Sequence, residues 1–75
     1  MVIRRWVNPD LRRYYIAAVT DDLFGGWNLV RYGGGSDSRR GGQLSEHLAD
    51  AEDIETHLRV IAERRQKRGY VPAPV

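Results

Sequence analysis

Hydrophobic and polar positions change rhythm along the chain, and the changes mark its elements. Residues 2–7 mix β-branched side chains with Arg4, Arg5 and Trp6, and Asn8-Pro9-Asp10 supplies turn chemistry, which predicts a strand and a turn. Residues 12–20 then alternate, with Tyr14, Ile16 and Ala18 on one face and Tyr15, Ala17 and Val19 on the other. Both faces carry apolar groups, so this segment reads as a central strand covered at least partly on each side. Asp21 and Asp22 followed by Leu23-Phe24-Gly25-Gly26 form a compact connection, in which the acids stay in water and Leu23 and Phe24 tuck under the loop. Strand composition resumes over residues 27–32.

Residues 33–42 contain five glycines and no apolar side chain, which predicts an exposed, mobile loop carrying Arg39 and Arg40. A short alternating segment, residues 43–48, suits a last strand. The rhythm then becomes helical: Ala51, Ile54, Leu58, Ile61 and Ala62 fall on a single stripe. Asp50 stands as N-cap, with Asp53 imitating a capping box. Gly69 supplies the C′ residue and Pro72 prevents continuation. The expected architecture is α+β: a small antiparallel sheet of three to five strands packed against one long C-terminal helix. Residues 1–71 make one domain, and 72–75 a flexible tail.

Composition narrows the functional classes. In 75 residues there are 12 Lys plus Arg against 10 Asp plus Glu, and no cysteine, which removes disulfides and thiolate metal sites and fits a reducing compartment. The longest apolar run is 14–19, far short of the roughly 20 residues that cross a bilayer, so no membrane association and a cytoplasmic location are expected. Eleven of the 12 bases are arginine, which suits either phosphate recognition or a GC-rich coding sequence. The distribution is sharper than the total. Glu46, Asp50, Glu52, Asp53 and Glu55 gather around the helix start, and Arg59, Arg64, Arg65, Lys67 and Arg68 lie toward its end, complementing the helix dipole.

The inventory for catalysis is poor. His47 and His57 are the only imidazoles, no paired carboxylates are indicated, and no strand-to-helix elbow surrounds Ser36, Ser38 or Ser45. The glycine segment fails the P-loop pattern, since no lysine follows its glycines and a strand precedes the helix. Neither an enzyme, a metal, a cofactor nor a small-molecule substrate is expected. Two readings of the glycine segment stay open: a solvated hairpin loop, or backbone plus Arg39 and Arg40 approaching a phosphodiester. Arg31 and Tyr32 at its entrance would extend such a contact, with Tyr32 able to stack on a base or sugar.

The order of these pieces resembles a known family. Tyr14-Tyr15, then Asp22-Leu23-Phe24-Gly25-Gly26-Trp27-Asn28-Leu29-Val30-Arg31, a Gly/Arg segment ending in Gln43, a helix with Ala51, and Lys67-Arg68-Gly69-Tyr70 together are similar to the WGR domain over residues 4–71. WGR domains occur in poly(ADP-ribose) polymerases and as short stand-alone bacterial proteins. The resemblance implies a small sheet on one helix and a non-catalytic module that binds DNA ends, nicks or flexed duplex, in DNA repair. The signature departs: without gaps Gly33, Gly34 and Gly35 occupy the Trp, Gly and Arg positions, and sliding by one puts Tyr32 for Trp and Gly33 for Gly. Both registers lose the arginine. Gly33 or Gly34 is carried over directly, Arg39, Arg40 and Tyr32 are local substitutes, and Arg68 and Tyr70 flank the surface. The competing expectation is a protein interaction module, docking on another protein or on itself, that has lost the DNA contacts.

Overall fold

The computed structural model describes residues 2–35 and 41–75. Five strands and one helix follow in the order β1 Val2–Asn8, β2 Arg13–Asp21, β3 Trp27–Gly35, β4 Gly41–Leu48, α1 Ala51–Lys67 and β5 Val71–Ala73. The strands form one antiparallel sheet ordered β4-β3-β2-β1-β5, so the α+β expectation holds with five strands. The helix is too short and too polar to cross a membrane.

Strand alternation divides the sheet into two unlike faces. Trp6, Ala17, Val19, Leu29 and Leu48 turn to the helix and are buried with Leu58, Ile61 and Tyr70, and Ile54 and Ala62 pack at the margin. Burying a Leu or Ile side chain this way contributes about 1.5–3 kcal/mol. Ala51, at the head of the stripe, is exposed. The opposite face carries Ile3, Val7, Tyr14, Ile16, Ala18, Val30 and Tyr32 with no element over it among the described residues.

The helix termini follow different rules from each other. Asp50 is extended (φ −115°) but its side chain makes no capping bond; the Asp53 N–H instead donates to the Asp50 carbonyl at 3.1 Å. The expected capping box does not form. At the other end Gly69 adopts φ +86°, its N–H donates to the Gln66 carbonyl (3.1 Å), and the Tyr70 N–H donates to the Arg65 carbonyl (2.9 Å). That is a Schellman closure, which satisfies carbonyls the helix leaves open. Asn8, only 4% exposed, ties this end to the sheet: its Nδ2 donates to the Arg68 carbonyl at 3.0 Å, and its Oδ1 accepts from the Leu11 N–H at 3.1 Å.

Three expectations are corrected. The glycines are not all loop: Gly33–Gly35 extend β3, pairing with Tyr15, Tyr14 and Arg13, and Gly33 and Gly34 pair with Gly42 and Gly41. Ladder hydrogen bonds need no side chains, and the two tyrosines flank this backbone. Arg39 and Arg40 lie outside the described residues. Pro72 and Ala73 are not tail but part of β5, with Pro72 opposite Trp6. Proline is tolerated there because β5 is an edge, where an N–H is dispensable. Leu23 and Phe24 do not tuck under their loop; they are 97% and 95% exposed. The turn is drawn tight by the Asp22 N–H to the Gly26 carbonyl (3.1 Å) and the Gly25 N–H to the Asp22 carbonyl (3.2 Å). Gly26 lies so close to the Leu48 carbonyl that a Cβ would stand 2.6 Å away, so the backbone occupies the space beneath.

Candidate nucleic-acid interface

Above the glycine end of the sheet, on the helix side, three aromatic rings and one arginine are packed together. Tyr15 lies across Gly33, where a Cβ would meet its Cδ2 at 3.2 Å. Its ring is tilted 59° to that of Trp6 at 6.2 Å. The Arg65 guanidinium lies 4.1 Å from the Tyr15 centroid and 5.0 Å from the Tyr70 centroid. Arg65 Nε is buried without a hydrogen-bond partner, so the rings are its main compensation. Beside this stack a shallow depression of about 250 Å³ is lined by Tyr15, Arg31, Gly33, Gly42 and Leu44 among others. It exists because α1 does not extend over this corner and glycines leave the sheet bare.

The expected site residues are dispersed rather than gathered. Arg31 is on the helix face, where Nη2 donates to Glu46 Oε1 at 2.9 Å; the two side chains are 23% and 41% exposed. His57 Nε2 stands 3.7 Å from the other Glu46 oxygen. These groups and Arg64 line a groove of about 340 Å³ between α1 and the sheet. Tyr32, 38% exposed, belongs to the opposite face, as does Gly34. Tyr70 is buried beneath Arg65, and Arg68 is exposed at the helix C-cap. Sequence reasoning missed Arg65, whose position above Tyr15 depends on the crossing of helix and sheet. It also passed over Tyr14, which the alternation of β2 places on the same face as Tyr32.

Topology, more than any single contact, separates the charges. Helix α1 begins just after Leu48, which pairs with Trp27 at the Asp21 end of the sheet, and finishes beside Asn8 at the other. Arg13, Arg64, Arg65, Lys67 and Arg68 therefore share an end with the glycine ladder, outnumbering Asp10 in the β1–β2 turn there, while Asp21, Asp22, Asp50, Glu52 and Asp53 gather at the opposite one. Nine-residue strands, of which β2 and β3 are two, span about 30 Å. That exceeds a Debye length of about 8 Å, so the two potentials do not cancel in physiological salt.

At the acidic end, Asp22 accepts from the Phe24 N–H at 3.0 Å and from His47 Nδ1 at 3.0 Å. The Phe24 N–H is the main reason the Asp22 carboxyl is held below its ordinary value; partial burial opposes the shift and His47 adds to it. An ionised Asp22 only accepts hydrogen bonds, so His47 carries its proton on Nδ1. Among the described residues, no group of three His, Asp or Glu side chains is arranged to hold a metal.

The fold and this surface define a small α+β domain with a charged long axis and an uncovered sheet face. No family model, no curated protein and no solved structure matches the chain.

Proposed function

We propose that the protein is a non-catalytic, WGR-like DNA-binding module that contacts the phosphates of ends, nicks or flexed duplex. The observation that supports this reading is that Arg13, Arg64, Lys67 and Arg68, all exposed, share one end of the fold with the glycine ladder. Exposed arginines beside side-chain-free backbone offer a phosphate footprint with little steric obstruction. Arg31, engaged by Glu46, has a smaller part than the sequence suggested. Tyr70 supports Arg65 from within and touches no ligand.

The test is binding to blunt, nicked and single-stranded oligonucleotides across a salt series. A footprint of four or five phosphates gives a log–log salt slope of about −4 on duplex DNA. Joint Arg64→Ala and Arg68→Ala substitution is expected to flatten that slope by about 2. Absence of binding at low salt, or indifference to these changes and to Arg39→Ala with Arg40→Ala, refutes the reading.

One observation favours the second reading, a protein interaction module. Leu23 and Phe24 stand in water on a hydrogen-bonded turn at the acidic end, far from the arginines. Paired exposed apolar side chains on an ordered turn suit an apolar pocket with a basic rim.

A further inference from the structure

From the face of the sheet that α1 leaves open, we infer a second binding surface, a stacking platform for the unpaired bases of single-stranded nucleic acid. The inference rests on the nucleic-acid reading but uses different residues from the phosphate footprint.

Three observations converge on this face. First, it carries two tyrosines on the adjacent central strands. Tyr14 pairs with Gly34 and Ile16 with Tyr32, so the two rings occupy diagonal positions on one face. Diagonal side chains are separated by about 7–8 Å, within reach of consecutive bases of one strand. Second, the place opposite Tyr14 is glycine, so its ring has no side chain beside it on β3 and a planar group can approach along the sheet. Tyr32 is 38% exposed although Ile16, Arg5 and Gln43 share its row, so part of its ring faces water in the folded chain.

Third, the charge beside the tyrosines is one-sided. Among the described strand residues of the open face Arg5 on β1 is the charged side chain and none is an aspartate or glutamate, while Asp22 stands only at the far end of the face, engaged by His47 at 3.0 Å. The helix face of the same strands carries Asp21 and Glu46. A surface for an apolar protein partner has no need to exclude acids, whereas one for a polyanion does. Ile3, Val7, Ile16 and Val30, all partly buried, give the rings an apolar floor on which sugars and base edges can rest. An open antiparallel sheet with aromatic side chains in its central strands is a general solution for unpaired bases, because every base has a π-face and stacking tolerates any sequence.

The two surfaces fit one geometry. The glycine ladder is the end at which Tyr14 and Tyr32 sit, with the basic helix terminus on the other side of the same sheet end. A duplex end or nick held by the arginines could pass a frayed strand around that end onto the tyrosines.

The experiment measures fluorescence anisotropy of labelled oligothymidylate and oligouridylate of about 12 nucleotides, and of a blunt duplex, at low salt. Tyr14→Leu and Tyr32→Leu are each expected to weaken single-strand affinity about tenfold, with Tyr32→Phe close to the parent and duplex affinity changed less than about twofold. Thermal melts identify any variant that fails to fold. Independently of substitution, ultraviolet crosslinking of the parent chain to 5-iodouracil oligonucleotides is expected to label Tyr14 and Tyr32. Crosslinks confined to the helix terminus, or single-strand affinity indifferent to both leucine variants, overturn the platform. If duplex binding then persists and depends on Arg64 and Arg68, the DNA reading survives without it; if no nucleic acid binds, both fall.

Discussion

Tyr15 lies over Gly33 at a distance that excludes a side chain there: a Cβ at residue 33 would come within 3.2 Å of the ring. The ring has little freedom to retreat, with Trp6 at 6.2 Å and the Arg65 guanidinium 4.1 Å from its centroid. Gly33→Ala is therefore expected to destabilise by about 1 kcal/mol, overpacking outweighing alanine's better strand entropy. Urea denaturation measures it; an unchanged or raised midpoint would show that Tyr15 moves freely.

Asn8 joins the β1–β2 turn to the helix C-terminus through two hydrogen bonds. Asn8→Ala leaves the Arg68 carbonyl and the Leu11 N–H without their partner, at a cost of about 2 kcal/mol. Because Arg68 lies inside the Schellman closure, between the Gln66 carbonyl and the Gly69 N–H, hydrogen exchange at Gly69 and Tyr70 should accelerate more than at Leu29. Uniform acceleration throughout the sheet would argue against this local role.

Asp22 gives the acid side of the stability profile a defined sign. Its carboxyl titrates below the ordinary 3.8 because the Phe24 N–H, opposed by partial burial and helped by His47, favours the anion. A depressed carboxyl contributes stability that is complete above its unfolded value and is lost as pH falls through the folded one. The Asp22 carboxyl carbon resonance should show a midpoint under 3.8, and Asp22→Asn should remove part of the acid-side slope. A midpoint at or above 3.8 contradicts the turn geometry.

Leu23 and Phe24 contribute nothing to the core, so joint replacement by serine is expected to leave stability within about 0.5 kcal/mol of the parent. Solubility should rise as an apolar projection is removed. A loss of several degrees in melting temperature would mean that these side chains pack onto the body of the domain.

Much of the fold was legible because burial imposes periodicity. Ala17 and Val19 alternate with Ile16 and Ala18, and Leu58 and Ile61 mark the helix face directly. What escaped was structure made by backbone alone. Gly33–Gly35 read as loop because composition reports side chains, while a ladder is held by N–H and carbonyl groups. Leu23 and Phe24 read as buried because apolarity argues for a core, but a hydrogen-bonded turn with two positive-φ glycines holds both side chains in water. The candidate surface was harder still. Arg31 and Tyr32 are adjacent in sequence and for that reason lie on opposite faces of β3, whereas Tyr14 and Tyr32 share a face across two strands.

The pairing of β5 with β1 brings the two described ends of the chain together. Arg5 faces Ala73, Arg5 Nη1 donates to the Pro74 carbonyl at 3.4 Å, and Val75 lines the same hollow as Ile3. Both ends thus leave from the side of the molecule that holds Asp21, remote from the arginine-rich end. A fluorophore or a surface anchor attached at either end leaves the arginines unobstructed. A short linker joining the two ends should likewise permit a circular permutant opened at the Leu23–Phe24 turn to fold.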